Sequence, residues 1–283
     1  MQNETLELVC PWCQGLLREA ASREVVCTSC GMGFGVTLGI RDLRYPRVEI
    51  VDDQQAAAVD RLVQAYPTSS YLDLLDVFFS SRDLSALPEH IASDRRQRRE
   101  SQLERGSRFT DMLLSRFEEC FCLPSRSIAL ELGCGAGAGL VRLAQIYDTV
   151  VGVDPSLTDL ILASKFCEEN DLENVTLVQA YGQYLPFRSE CLDYVTAQNV
   201  LEHVLDVDVV VCEVARVLSV GGGFSADSRN RYDLLFPEPH VGIRWVGWLP
   251  RAWARRYVQW RTGIEDYGDH IRLLSYRELG NAL

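Results

Sequence analysis

The sequence predicts a doubly wound, mostly parallel α/β sheet, preceded by a small metal-bound module and a helical connector. Three observations carry this expectation. Short apolar runs alternate with amphipathic stretches from residue 128 onward, as parallel strands joined by crossover helices require. The first run ends in "ELGCGAGAGL", where glycines separate an acid-bearing strand from a helix. Four cysteines near the N-terminus fall in the spacing C-x2-C-x13-C-x2-C, which suits a tetrahedral metal ion. The expected boundaries are 1–47 for the metal module, 48–127 for the connector and lid, and 128–283 for the sheet domain, with a cap inserted at 228–263.

In the first module, Cys10, Cys13, Cys27 and Cys30 form two knuckles, each placing two thiolates on one tight turn. Gly15 and Gly31 follow closely, where such turns need a small residue. Four thiolates leave no open coordination position, so the expected zinc is structural. Two disulfides are the rival reading. The N-terminus has no basic region leading into an apolar run, and no apolar stretch approaches the roughly 18–20 residues that span a bilayer. The default expectation is a cytoplasmic chain with reduced thiols. The remaining cysteines, at 120, 122, 134, 167, 191 and 212, read as small buried hydrophobes. The segment "LVCPWCQGLLREA…VVCTSCGMGFGVTLGIRDLR" resembles the short zinc ribbon of the Trm112 family, which closes on a G-I-x-D-L turn and strand, here Gly39–Leu43. That resemblance implies a protein-contacting role, within this chain or with a partner, since such ribbons occur as methyltransferase activators or fused ahead of methyltransferase domains.

In the connector, "DDQQAAAVDRLVQAY" has helical spacing and ends at Pro67, and "SSYLDLLDVFFSS" begins on serine caps. Leu72, Leu75, Phe78 and Phe79 are expected along one side of the second helix. A third helical pattern runs through "SDRRQRRESQLERGSRFTDMLLSRFEECF", its arginines reading as a solvated face.

In the core, Ile128–Leu132 reads as a strand and Gly137 onward as a helix. "TVVGVDPS" is a second strand ending at Asp154, and "SLTDLILASKFCEEND" a helix with Ser156 as N-cap. "NVTLVQA" and "CLDYVTAQNV" are strands three and four, "DVDVVVCEVARVL" a helix and "VGGGFSAD" strand five. Ligands of such sheets lie at the carboxyl ends of the strands, where strand order reverses. Gly133, Gly135 and Ala138 satisfy a dinucleotide fingerprint, but that match alone is weak.

Several ordered motifs are more specific: Glu131 two residues before the first glycine, L-P-F (Leu185–Phe187), D-x-V (Asp193–Val195), N-V-L-E-H (Asn199–His203), and E-x-x-R-V-L…G-G (Glu213–Gly222). Together they resemble the small-molecule branch of the class I S-adenosylmethionine-dependent methyltransferases, a Rossmann-like family. The resemblance implies S-adenosylmethionine as cofactor. Glu131, Gly133, Gly135 and Gly137 would form its turn, Asp154 would accept from its ribose hydroxyls, and Asn199 would lie beside it. The family usually carries an aspartate for the adenine amino group in the loop after strand three. Tyr181 stands there instead, with Gln183 as an alternative acceptor. The family sheet also ends in an antiparallel strand pair after a helix like "LLSYRELGNAL", so the final strands are expected to be missing, replaced or supplied by a partner.

The net charge of −12 is uneven: Ile128–Ala226 carries fourteen acids against four bases, which weighs against a polynucleotide substrate. In the cap, Trp245, Trp248, Trp253 and Trp260 interleave with arginines. This reads either as a surface for an amphipathic, anionic or lipid-like acceptor or a membrane face, or as a cap whose arginines snorkel. His203 and His240 are the candidate catalytic bases. The expected function is methyl transfer to a small-molecule or lipid-like acceptor. RNA methylation and a non-catalytic scaffold are the alternatives.

Overall fold

The computed structural model describes residues 6–21, 23–46, 53–80, 108–119, 127–204, 206–233, 235, 237–238, 241–264, 267–268 and 271–283. His240, Cys120 and Cys122 lie outside the described residues.

Nine strands make one sheet: β1 (Leu17–Ala21), β2 (Glu24–Cys27), β3 (Gly33–Thr37), β4 (Ile40–Asp42), β5 (Ile128–Leu132), β6 (Thr149–Asp154), β7 (Val175–Gln179), β8 (Leu192–Gln198) and β9 (Leu218–Asp227). Their order is β1-β2-β3-β4-β7-β6-β5-β8-β9. The five strands from β7 to β9 are parallel, as the alternating pattern predicts, and the chain reverses its direction of winding at β5. The two central strands β5 and β6 are buried along nearly their whole length, which explains their unbroken apolar runs.

The N-terminal strands form an antiparallel meander that joins this sheet directly. β4 pairs parallel with β7, Arg41 opposite Val178 and Asp42 opposite Gln179. The apolar interior is shared as well. Cys10, Val25, Phe34 and Leu43 pack in one buried cluster with Leu130, Val151, Val178 and Phe187. Pairing with β4 covers the β7 edge and leaves β1 as the outermost strand on that side of the sheet. Among the described residues, β9 pairs with β8 alone on the other side.

Helices cover both faces. On one face lie α1 (Asp53–Ala65), α2 (Tyr71–Ser80), α3 (108–119), α4 (Leu140–Ala144) and α5 (Leu157–Glu169). On the other lie α6 (Val207–Val217) and α8 (Tyr276–Ala282). Helix α7 (Arg251–Thr262) belongs to the cap, which has its own small core of Val241, Val246, Ala254, Val258 and Tyr267.

Local chemistry explains most helix ends. Ser156 caps α5 by accepting from the Asp159 N–H, and Asp206 caps α6 by accepting from the Asp208 and Val209 N–H groups. α1 gives way at Ala65 to a 3-10 turn holding Pro67. Two expectations are corrected. α4 begins at Leu140, not Gly137, because Gly137 takes a left-handed φ of +88° that no helix accommodates. In α2 the buried face is Tyr71, Leu74, Leu75 and Phe78, whereas Leu72 is exposed.

The connector is fastened to α5. The Tyr66 hydroxyl bonds to Ser164 and Glu168, the Tyr71 N–H donates to Glu169, and Lys165 lies over the Tyr66 ring while pairing with Glu168. Lys165 is the chain's single lysine, and its stem is buried against these partners.

Candidate active site

The site is built on the carboxyl ends of β5 and β6. At the end of β5 the backbone turns sharply, with Gly133, Gly135 and Gly137 all at positive φ. The turn is held by the Gly133 and Cys134 N–H groups, which both donate to the Val153 carbonyl, at 2.7 and 3.1 Å. A Cβ at Gly133 would collide with the Val200 side chain, whereas one at Gly135 would project into open space. Gly133 therefore serves packing. Gly135 presents bare backbone on the outer side of the turn, as close approach of a ligand needs.

Asp154 ends β6 and locks this turn from beneath. Its Oδ2 accepts the Gly135 N–H at 2.9 Å and its Oδ1 accepts the Ser156 N–H at 2.8 Å. Glu131 lies behind the turn, 4% exposed, with its Oε2 lacking a hydrogen-bond partner. A Cβ at Gly139 would strike this carboxylate, so Gly139 is what makes room for it. Burial, and then the nearby Asp154 charge, push Glu131 up to about 8.

The loop after β7 carries Tyr181 and Gln183, both half-buried. It is gripped at each end. Leu185 and Phe187 are held by the α6 pair Glu213–Arg216: the Leu185 N–H donates to the Glu213 carboxylate at 3.0 Å, and Arg216 donates to the Phe187 and Leu185 carbonyls at 2.8 and 3.0 Å. This gives L-P-F and E-x-x-R a shared physical role. From the other side the N-terminal module holds the same loop. The Val9 N–H donates to the Pro186 carbonyl at 2.9 Å, and the Leu43 N–H donates to the Gln179 carbonyl at 2.8 Å. Arg44, ion-paired to Asp42 at 2.8 Å, has its pKa raised first by that carboxylate and also by Tyr181.

Beyond β8, Asn199 adopts φ +53° and its N–H reaches the Asp227 Oδ1 at 3.2 Å. His203 is exposed in the turn that follows, with its N–H on the Val200 carbonyl. Sequence reading passed over Asp227 and Glu202. Asp227 ends β9, and burial followed by the Glu202 charge raises it to about 6. Glu202 is buried and accepts from the Ser228 hydroxyl at 2.9 Å. The signal was available: Asp227, like Asp154, is an acid that terminates a parallel strand at this edge. Helix α3 reaches the same edge, where Gln198 donates to the buried Thr110 hydroxyl at 2.7 Å and Arg142 pairs with Asp111 at 2.7 Å.

The four N-terminal cysteines converge. Their sulfurs all lie within 4.8 Å of one another, with Cys10–Cys30 at 3.8 Å and Cys13–Cys27 at 3.4 Å. Sulfurs about 2.3 Å from one tetrahedral ion stand about 3.8 Å apart, so the set fits zinc. The two knuckles repeat one turn, with the Gln14 N–H on the Cys10 carbonyl and the Gly31 N–H on the Cys27 carbonyl. A Cβ at Gly15 would press on the Cys27 sulfur at 2.9 Å, and Gly31 has φ +76°.

Comparison with known proteins agrees with this geometry. Residues 130–226 match the Methyltransferase domain family. The uncharacterized methyltransferase YcgJ of Bacillus subtilis is 35% identical over 95 residues, 34% of this chain and 38% of that protein. The ubiquinone biosynthesis O-methyltransferase of Methylobacterium nodulans is 34% identical over 135 residues, 46% of this chain and 53% of that protein. The chain thus spans about half or less of the length of these relatives. The crystal structure of the Bacillus YcgJ protein superposes with a TM-score of 0.45 at 24% identity, covering 61% of this chain and 66% of that one. The glycine turn, Asp154, the clamped loop and most of β9 all fall inside the segment that matches the methyltransferase domain model.

Proposed function

We propose that the chain transfers a methyl group from S-adenosylmethionine to a small-molecule or lipid-like acceptor, with the four-cysteine cluster holding a structural zinc. The observation that carries this reading is the turn itself: bare backbone at Gly135, Asp154 bonded beneath it, and the buried carboxylate of Glu131 behind it. A cationic ligand brought to this turn restores the ionised form of Glu131, which a pyrophosphate would not do. Asp154 is placed to accept from the ribose hydroxyls, and Tyr181 and Gln183 border the adenine side. When bound, S-adenosylmethionine supplies a methyl group already activated on sulfur.

The protein's remaining task is to align the acceptor and take its proton. Asp227 is the group we assign to that step. A hydroxyl acceptor gives its proton to the Asp227 carboxylate as its oxygen gains the methyl. His203 would then sit at the rim of the site as an exposed polar side chain.

The lipid-like part of the reading is supported by the cap. Trp245, Trp248, Trp253 and Trp260 are all exposed, three of them among the arginines around or within α7, while Ala254 and Val258 form that helix's buried side. Exposed tryptophan with arginine suits an amphipathic molecule or a membrane surface. Among the described residues, no helix is long and apolar enough to cross a membrane.

Calorimetric titration of the zinc-loaded chain with S-adenosylhomocysteine tests the proposal. One-site saturable binding is the expected result, and an acceptor screen follows from it. A folded chain that takes up none would overturn it in favour of a scaffold.

A further inference from the structure

We propose that the cavity between α7 and residues 267–268 and 271–273 is a subsite for an oxyanion headgroup on the acceptor, which rests on the methyl-transfer reading above. The cavity has a volume of about 290 Å³, and four arginines line it: Arg231, Arg251, Arg255 and Arg272. Val246 and Leu249 form part of its apolar wall. Among the described lining residues there is no carboxylate.

Among the described residues, the acids that act on this wall include Glu278 and the buried Glu238, whose charge reaches Tyr267. Arg251 and Arg272 share one acid, Glu278, at 3.5 and 4.0 Å. Arg231 spends its Nε and Nη2 donors on the carbonyls of Gly247 and Leu249, at 2.6 and 2.9 Å. These neutral acceptors fix its position and leave its charge in place. Burial first, and then the charges of Arg272 and Arg231, press the Arg251 pKa below the ordinary guanidinium range. Gathering guanidinium groups around a half-enclosed space costs repulsion and desolvation, and a planar or tetrahedral oxyanion relieves both by accepting several N–H bonds at once.

The placement suits an acceptor. The Arg272 N–H donates to the Glu202 carbonyl at 2.6 Å, and the Arg231 N–H donates to the Leu274 carbonyl at 2.7 Å. Glu202 follows β8 and is joined to Ser228, which follows β9. The cavity is therefore hung from the carboxyl ends of β8 and β9, the same edge of the sheet that carries Gly135 and Asp154. An acceptor held by its oxyanion here and by its alkyl or aryl part on the apolar wall would extend toward that edge.

The test uses the full chain and three probes of similar shape: phenyl phosphate, benzoate and neutral benzamide, followed by tryptophan fluorescence and calorimetry. Both anions are expected to saturate one site, more weakly at high salt, and benzamide is not. Arg251→Gln with Arg272→Gln is expected to weaken anion binding at least ~10-fold while S-adenosylhomocysteine affinity stays within about twofold. Should that pair disturb folding by circular dichroism, Arg255→Gln, on the exposed side of α7, is read for the same loss. Tighter phenyl phosphate assigns a phosphate headgroup, and tighter benzoate a carboxylate. Equal binding of benzamide, absence of anion binding, or unchanged anion affinity in a folded variant overturns the proposal. A chain that binds the anions but no S-adenosylhomocysteine keeps the anion site and rejects methyl transfer.

Discussion

Arg41 of the N-terminal meander and Val178 of β7 are parallel strand partners. Through this pairing, and through Val9 on Pro186, the cysteine module holds both ends of the loop that carries Tyr181 and Gln183. Because the module holds that loop from outside the matched segment 130–226, the proposed metal and cofactor sites should depend on one another. Stripping the zinc with a chelator should weaken S-adenosylhomocysteine binding by about tenfold or more, with an accompanying loss of thermal stability. Cys27→Ser should do the same. Calorimetry before and after metal removal checks it. Unchanged affinity in a metal-free chain that has lost its N-terminal structure would show the loop to be held by α6 alone.

The Glu131 carboxylate should dominate the pH dependence of the ligand-free protein. In the folded chain it holds its proton up to about 8, against 4.5 for an ordinary glutamate. Between those values the folded state binds more protons than the unfolded one, so stability is highest at low pH and declines as pH rises toward 8. Asp227, raised from 3.8 to about 6, contributes with the same sign in its own lower window. Glu131→Gln should flatten the upper part of the profile and stabilise the ligand-free protein at pH 8 by roughly 1–3 kcal/mol. It should also weaken the cationic cofactor. Urea unfolding at a series of pH values measures the first effect, and a wild-type profile that rises toward pH 8 would contradict it.

Much of this architecture was legible in the sequence because it rests on local rules. β5 occupies the expected residues, and Ser156 caps α5 through the Asp159 N–H. The cysteine spacing announced a cluster that the fold brings together. What escaped was long-range. Nothing in the spacing of Gly39–Leu43 shows that this strand will pair with β7 across more than a hundred residues. Only the packed structure reveals why E-x-x-R and L-P-F occur together, since Arg216 meets two carbonyls thirty positions earlier in the chain. Asp227 was missed because its burial and its neighbour Glu202 come from separate elements. The cap arginines left an acceptor surface and a snorkelling face both open, because helical periodicity cannot show that Arg231 and Arg272 fold back beside Arg251.

Asp227 should set the pH dependence of turnover with a hydroxyl acceptor. A base held at about 6 is half ionised there, so the rate should climb through pH 6 and level off above about 7. Asp227→Asn should lower kcat by ~10²-fold or more and remove this limb, with S-adenosylhomocysteine affinity nearly unchanged. His203→Ala should leave the limb in place. A pH–rate profile that follows His203 instead would transfer the proton-accepting role to that side chain.

The glycine turn separates packing from ligand contact through two substitutions. At Gly133 both φ, +69°, and the Val200 side chain oppose a Cβ, so Gly133→Ala should cost roughly 1–3 kcal/mol of stability. At Gly135 a Cβ meets no atom within 4 Å, and only the φ of +50° opposes it. Gly135→Ala should therefore cost about 1 kcal/mol, the penalty of a left-handed backbone for an L-residue. Its larger effect should be on affinity, because the added methyl stands on the outer side of the turn where the cofactor is proposed to lie. Chemical unfolding and S-adenosylhomocysteine calorimetry on the two variants should give opposite orders: Gly133→Ala the less stable, Gly135→Ala the weaker binder per unit of stability lost. If Gly135→Ala binds as tightly as wild type, the ligand does not approach the backbone at this turn, and the cofactor placement falls with it.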